Sequence, residues 1–184
     1  KKALKRNKIF EAAYNLFSTK GVKNTAIDDI VKEAGVAKGT FYLYFKDKYD
    51  IIDRLILSKS SEVLREAMEA TIRYEHCSFI DGTIYLIDYL IEYFKKNKML
   101  LKIIYKNLSW GLYRKALARP DDYKEMKEVS NLLLDNLKID GFSESDIEKM
   151  LFLVIELTGS VIYSSIILGE PDNIDNMKPI LFST

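Results

Sequence analysis

Hydroxyls, aromatic rings and lysines crowd one short stretch of this chain. Between Thr25 and Lys48 the sequence runs TAIDDIVKEAGVAKGTFYLYFKDK, two short helical patterns about a glycine, and the second carries Lys38, Thr40, Tyr42 and Tyr44. Ala37, Lys38, Gly39 and Thr40 open it with small, weakly shielded residues, and exposed amides at a helix start suit a phosphate. This is the grammar of a helix-turn-helix DNA reader. Enzyme chemistry has no comparable footing. His76 and Cys77 are the only histidine and cysteine, and no phosphate-cradling glycine loop, metal-ligand cluster or cofactor motif accompanies them.

The elements that must position these residues follow from local patterns. Thr25 is the expected N-cap of one helix, with Asp28 three residues on completing a capping-box-like pair. Ala26, Ile27, Ile30, Val31 and Ala34 recur at three- and four-residue spacing, and Gly35 stands where a left-handed residue ends a helix without steric cost. Val36 plugs the turn. In the next helix Phe41 and Phe45 share a core-facing side, which points Tyr42, Leu43 and Tyr44 elsewhere. Upstream, Ile9, Ala12, Ala13, Leu16 and Phe17 form the apolar stripe of a first helix that stops at Gly21.

On these residues the chain resembles the TetR family of transcriptional regulators: GVAKGTFYLYFKDKYDII is similar to that family's DNA-reading signature, and IFEAAYNLFSTKGVKNTAIDDIVKEAGV to its first two helices. The resemblance covers roughly the first 55 residues. It implies an all-α protein with a three-helix helix-turn-helix DNA-binding head over residues 1–48 and a helical-bundle effector-binding and dimerisation domain over 49–184. It also implies roles for single residues. Thr25 and Lys48 match helix starts that grip the phosphate backbone, and Ala37, Lys38, Gly39 and Thr40 match the first turn of the recognition helix. Tyr42, Leu43 and Tyr44 match positions at phosphates or bases, where a tyrosine hydroxyl donates to phosphate and its ring meets a thymine methyl. Tyr44 stands where many members carry histidine. The implied partners are a double-stranded DNA operator, a largely apolar small-molecule effector and a second copy of the chain.

Charge supports a reader at the N-terminus. Residues 1–50 hold 11 Lys and Arg against 6 Asp and Glu, net +5, and residues 51–184 hold 17 against 21, net −4. The basic run Lys1, Lys2, Lys5, Arg6 and Lys8 either reaches neighbouring phosphates or is a solvated, frayed end. At 184 residues, 48% hydrophobic with 8 Gly and 3 Pro, the chain suits one or two helical units with a sizeable core. The single Cys77 precludes an intrachain disulfide and fits a reducing, cytoplasmic setting. The longest uncharged run, Leu157 to Gly169, falls short of the ~20 residues of a bilayer span, so no membrane segment is expected.

Past the reader, the periodicity predicts helices over Tyr49 to about Ala70, Phe79 to Lys95, Met99 to Ala118, Asp121 to about Leu137, and Ser143 to Leu168. The last is apolar on nearly all sides, and a helix of that kind is buried by something: its own core, or a partner. Val154, Leu157, Val161, Ile162 and Ser165 are its candidate dimer contacts, in keeping with a family that dimerises through its last two long helices. Two-fold symmetry would then give a near-palindromic operator with half-sites ~34–36 Å apart or a multiple of that. Aromatics gather in the middle helices, and Tyr89, Tyr105, Trp110 and Tyr113 are candidate effector contacts. Glu156, alone in an apolar helix, needs a partner if buried, either a basic side chain or a cationic ligand. A second class of function stands beside the regulator: a helical small-molecule-binding or protein-interaction module whose helix-turn-helix contacts protein. Salt dependence separates the two, because binding by phosphate neutralisation weakens steeply with ionic strength.

Overall fold

The structure is a computed structural model and describes residues 2–74, 78–107, 110–118, 127, 128, 131, 141 and 143–183. It is all-α, with no strand among the described residues. In chain order the helices are α1 Lys2–Lys20, α2 Ile27–Ala34, α3 Lys38–Tyr42, α4 Lys48–Arg73, α5 Phe79–Lys96, α6 Lys98–Asn107, α7 Trp110–Ala118, α8 Glu144–Tyr163 and α9 Ile174–Ser183, with one π-helical turn, Ser164–Leu168, following α8. The chain divides into two compact units, Lys1–Ser58 and Lys59–Thr184. This boundary lies inside α4 rather than at Lys48, because Ile51, Ile52, Leu55 and Ile56 in the first turns of α4 are apolar and fully buried and belong with the N-terminal unit.

The N-terminal unit is built on the stripe expected for it. Ile9, Ala12, Ala13, Leu16 and Phe17 of α1 are buried with Ile30, Val31 and Ala34 of α2, and α1 packs on α2, which packs on α3. Gly35 ends α2 at φ 63°, its N–H donating to the Lys32 carbonyl while the Val36 N–H returns to Val31, a closure that needs the left-handed region. The helix start differs from expectation. Ala26 is the N-cap, and Asp29 accepts its N–H at 3.2 Å, whereas the Thr25 hydroxyl donates to the Gly21 carbonyl at 2.8 Å. A threonine hydroxyl can donate as well as accept, and here the chain end of α1 offers a closer acceptor than α2 offers a donor. The N-terminal basic run is helical from Lys2 onward, with the Arg6 guanidinium 5.6 Å from the Phe10 ring centre.

In the C-terminal unit α8 packs on α5 and α6, and α9 on α5 and α8. Its core holds Val63 and Ala67 of α4, Ile91 of α5, Leu101 of α6, Leu112 of α7, Ile147 and Ile162 of α8 and Ile174 of α9. Ser143, the predicted start of the last long helix, is the N-cap of α8, its hydroxyl accepting from the Asp146 N–H at 3.2 Å. In the helix predicted over Phe79 to Lys95, Ile80 shares the apolar spacing of Ile87 and Ile91 yet is exposed in the first turn, while those two are buried. The single helix expected over Met99 to Ala118 is described as α6 and α7, with residues 108 and 109 outside the described set. The helix expected over Asp121 to Leu137 lies outside it as well, apart from 127, 128 and 131, as do His76 and Cys77.

α9 is not among the helices the periodicity predicts; it follows Pro171 and carries Pro179 inside it. Charge holds it to α5: Lys178 Nζ lies 2.6 Å from both Asp88 and Glu92, and Lys95 reaches Glu92 at 3.1 Å and Asp175 at 2.8 Å. Hydrogen bonds from Lys178 and then Lys95 hold the Glu92 carboxyl below its ordinary range. A carboxyl depressed in this way adds stability above its unfolded value, and the contribution goes as pH falls through the folded value. α9 amides should therefore lose hydrogen-exchange protection as pH falls below the ordinary glutamate value of ~4.3, by no more than about fivefold for a half-exposed pair. Glu92→Gln should show that loss already at neutral pH and remove this part of the pH dependence; a variant with unchanged protection at both pH values would contradict it.

Candidate nucleic-acid interface

Phe41 and Phe45 fix what the reading segment presents. Both rings are buried, 5.5 Å apart, and Phe45 lies 5.3 Å from Phe10 of α1, so one side of the segment is locked into the N-terminal core. The helical repeat then turns the residues between them outward. Ala37, Lys38, Gly39, Tyr42 and Leu43 are exposed, Leu43 at 79%, and Thr40 and Tyr44 are half-buried. Tyr42 stands edge-on to Phe41, ring centres 5.5 Å apart, and is 52% exposed. An exposed leucine beside an exposed tyrosine and a lysine, on a unit of net positive charge, is a surface with an apolar part and a cationic part.

Ala37 is the N-cap of α3, and its side chain makes no cap hydrogen bond. The Thr40 N–H returns to the Ala37 carbonyl at 2.8 Å. Lys38 Nζ pairs with Asp28 of α2 at 2.8 Å, both side chains exposed, and this hydrogen bond raises the Lys38 ammonium above its ordinary value, so the residue is cationic throughout the physiological range. A Cβ built on Gly39 meets nothing within 4 Å, so packing inside the chain does not require glycine there.

Thr25 and Lys48, named from the resemblance as phosphate grips, are engaged inside the unit. Thr25 is buried, with its hydroxyl on Gly21. Lys48 Nζ donates to the main-chain carbonyls of Val22, Lys23 and Thr25 at 3.1, 3.2 and 3.2 Å. Contacts across 23 to 26 residues of sequence leave no trace in local periodicity, which is why the pattern did not disclose them.

The other two candidate sets lie in the C-terminal unit. Tyr105 of α6 stacks on Tyr163 of α8, ring centres 4.1 Å apart and 12° between planes, a partner no single-helix pattern names. Tyr85, at the head of the row Tyr85, Tyr89 and Tyr93, stacks on Tyr74 at 4.7 Å. Tyr89 and Tyr113 are half-buried, and Trp110 opens α7, its side chain outside the described set. Glu156 is exposed on α8, so the partner expected for a buried charge is not required of it in a single chain. Of the proposed dimer contacts, Val154 and Leu157 are exposed and Val161 is half-buried. Ile162 and Ser165 are buried within the chain's own core and leave that set. A helix apolar on every side gives no sequence signal of which side faces inward. By length and composition Ser145–Leu168 is apolar enough to cross a bilayer, which a count of uncharged residues had denied it; one such helix also fits an uncovered face of a soluble protein.

Residues 9–55 match the family model described as bacterial regulatory proteins, tetR family. The chain is 24% identical over 159 residues to the HTH-type transcriptional regulator YhgD of Bacillus subtilis, covering 84% of this chain and 81% of that one. To an HTH-type transcriptional regulator of Staphylococcus aureus strain USA300 it is 28% identical over 150 residues, covering 75% and 80%. Among solved structures, FadR of Bacillus subtilis in complex with stearoyl-CoA superposes with a TM-score of 0.66 at 17% identity, over 97% of this chain and 96% of that one. A Shewanella sp. PV-4 protein assigned to the tetR family superposes at 0.72 with 18% identity, over 97% and 94%.

Proposed function

The chain belongs to the TetR family of bacterial regulatory proteins, and from that premise we propose that it is a homodimeric repressor, released from a near-palindromic operator by a small-molecule effector. One observation carries the DNA-reading half: buried Phe41 and Phe45 leave Lys38, Gly39, Tyr42 and Leu43 outward together on the net-positive unit. Lys38 supplies charge to a phosphate, and Tyr42 with Leu43 supplies apolar contact to base methyls in the major groove. Effector and operator prefer different conformers, so binding of one disfavours the other. The aromatic C-terminal unit suits an apolar effector, and the fold neighbour solved with stearoyl-CoA makes a long-chain acyl thioester of coenzyme A the first compound to try.

Two substitutions test the reading surface. Tyr42→Ala should leave stability within ~0.5 kcal/mol while costing ~1–3 kcal/mol of specific binding and altering preference among operators. Gly39→Ala should be neutral in the fold or stabilise it by up to about 1 kcal/mol, since glycine is a poor helix former and the space is open. A loss of DNA affinity in that stable variant then reports close approach of the duplex to α3. Unchanged operator affinity in Tyr42→Ala and Thr40→Ala, each properly folded, would remove α3 from the reading role.

A further inference from the structure

We propose that Lys48 is a positioning residue, tying the turn before α2 to the first turn of α4 and so holding the reading segment in place, rather than a group that itself grips phosphate. An ammonium has three N–H donors and no acceptor. In Lys48 all three have a main-chain carbonyl within reach, those of Val22, Lys23 and Thr25 at 3.1, 3.2 and 3.2 Å, and the Tyr49 ring centre lies 5.6 Å away. Hydrogen bonds from a charged donor are roughly twice as strong as neutral ones, so exchanging three of them for one phosphate contact is unfavourable.

Both ends of this tie are built. On the α4 side, Asp47 Oδ1 accepts the N–H groups of Tyr49 and Asp50 at 2.8 Å each, Asp50 Oδ2 accepts the Lys46 N–H at 2.9 Å, and Asp50 Oδ1 accepts from Arg54 Nε at 2.9 Å. The start of α4 is thereby capped from within the chain. On the other side, the Thr25 hydroxyl holds the Gly21 carbonyl at 2.8 Å and lies 3.5 Å from that of Leu16, and the Thr25 N–H returns to Val22. Thr25 and Lys48 are thus one connected network from the end of α1 through the turn to α4. α2 begins two residues after Thr25 and packs on α3, so the placement of the turn passes to the exposed Lys38 to Leu43 surface. The functional half of this inference rests on the DNA-reading proposal above; the tie itself does not.

Lys48→Met keeps the stem and removes the donors. In the full chain without DNA, amides of residues 25–31 should then exchange about tenfold or more faster, as expected for a local unit that has lost a charged tether. Affinity for a selected duplex should fall, with the slope of log K against log salt unchanged. Unchanged exchange, or a slope shallower by the ~0.9 of one phosphate contact, overturns the proposal. Lys48→Arg keeps the charge but spreads its donors in a planar fork, so it should leave exchange fast and affinity low; full affinity with fast exchange would overturn the proposal too. Should the Met variant fail to fold, Lys48→Arg is read by the same two criteria. If the unaltered protein binds no duplex, the DNA-reading proposal fails, and the exchange measurement still decides whether Lys48 ties the turn.

Discussion

Phe41→Ala is expected to destabilise the N-terminal unit by ~3–5 kcal/mol and to abolish operator binding with it. Phe41 is fully buried and packs at a tilt on Phe45, which meets Phe10 of α1, so the truncation empties the centre that holds α3 against α1. A unit of 58 residues buries a smaller share of its surface than a larger domain does, and single domains keep only ~5–15 kcal/mol in total. Denaturant unfolding and hydrogen exchange over residues 9–55 should both register the loss, while amides of α5 and α8 keep their protection. Tyr42→Ala, one residue along, should leave the same measurements unchanged. A Phe41→Ala variant with normal protection in residues 9–55 would show that the aromatic centre does not hold the reading segment.

On the proposed homodimer, Leu157→Glu is expected to give a monomer without unfolding the chain. Leu157 is 50% exposed in the single chain, and Leu153, Val154 and Ile155 are exposed on the same helix, an apolar area for the second copy of the proposed homodimer to cover. A charge placed there stays hydrated in the monomer and is desolvated in the dimer, once from each protomer, because a two-fold interface repeats every substitution. At about 2–3 kcal/mol for each copy, the dimer dissociation constant should rise about a thousandfold or more, visible by equilibrium sedimentation at micromolar concentration. Ile162→Glu, buried in the chain's own core, should instead unfold the C-terminal unit. An unaltered protein that sediments as a monomer, or a Leu157→Glu variant that remains a dimer, would contradict the assignment of this face.

These contrasts mark where local pattern is informative. Gly35, the α1 stripe and the Phe41 and Phe45 pair are legible because a helix repeat and a left-handed stop act over three to five residues. Thr25 looked like a cap because threonine before a helical run often is one, yet its acceptor is Gly21, before α2 begins. The Lys48 carbonyl contacts and the Tyr105–Tyr163 stack join residues far apart in the chain, where periodicity carries no information. α8 is legible as a helix and illegible as a surface: Leu157 and Ile162 are equally apolar, and only the packing of α5, α6 and α9 decides that the second is inside. α9 shows the reverse, a helix with proline inside it, secured by Lys178 and Lys95 to carboxylates on its neighbour.

Selecting bound sequences from a random duplex pool with the purified protein, then titrating the selected duplex at several salt concentrations, tests the central claim most directly. A dimeric reader yields a near-palindromic consensus with half-sites about one helical turn apart or a multiple, and an affinity whose logarithm falls by ~0.9 per phosphate contact for each decade of salt. No enrichment, or binding indifferent to salt, would contradict it.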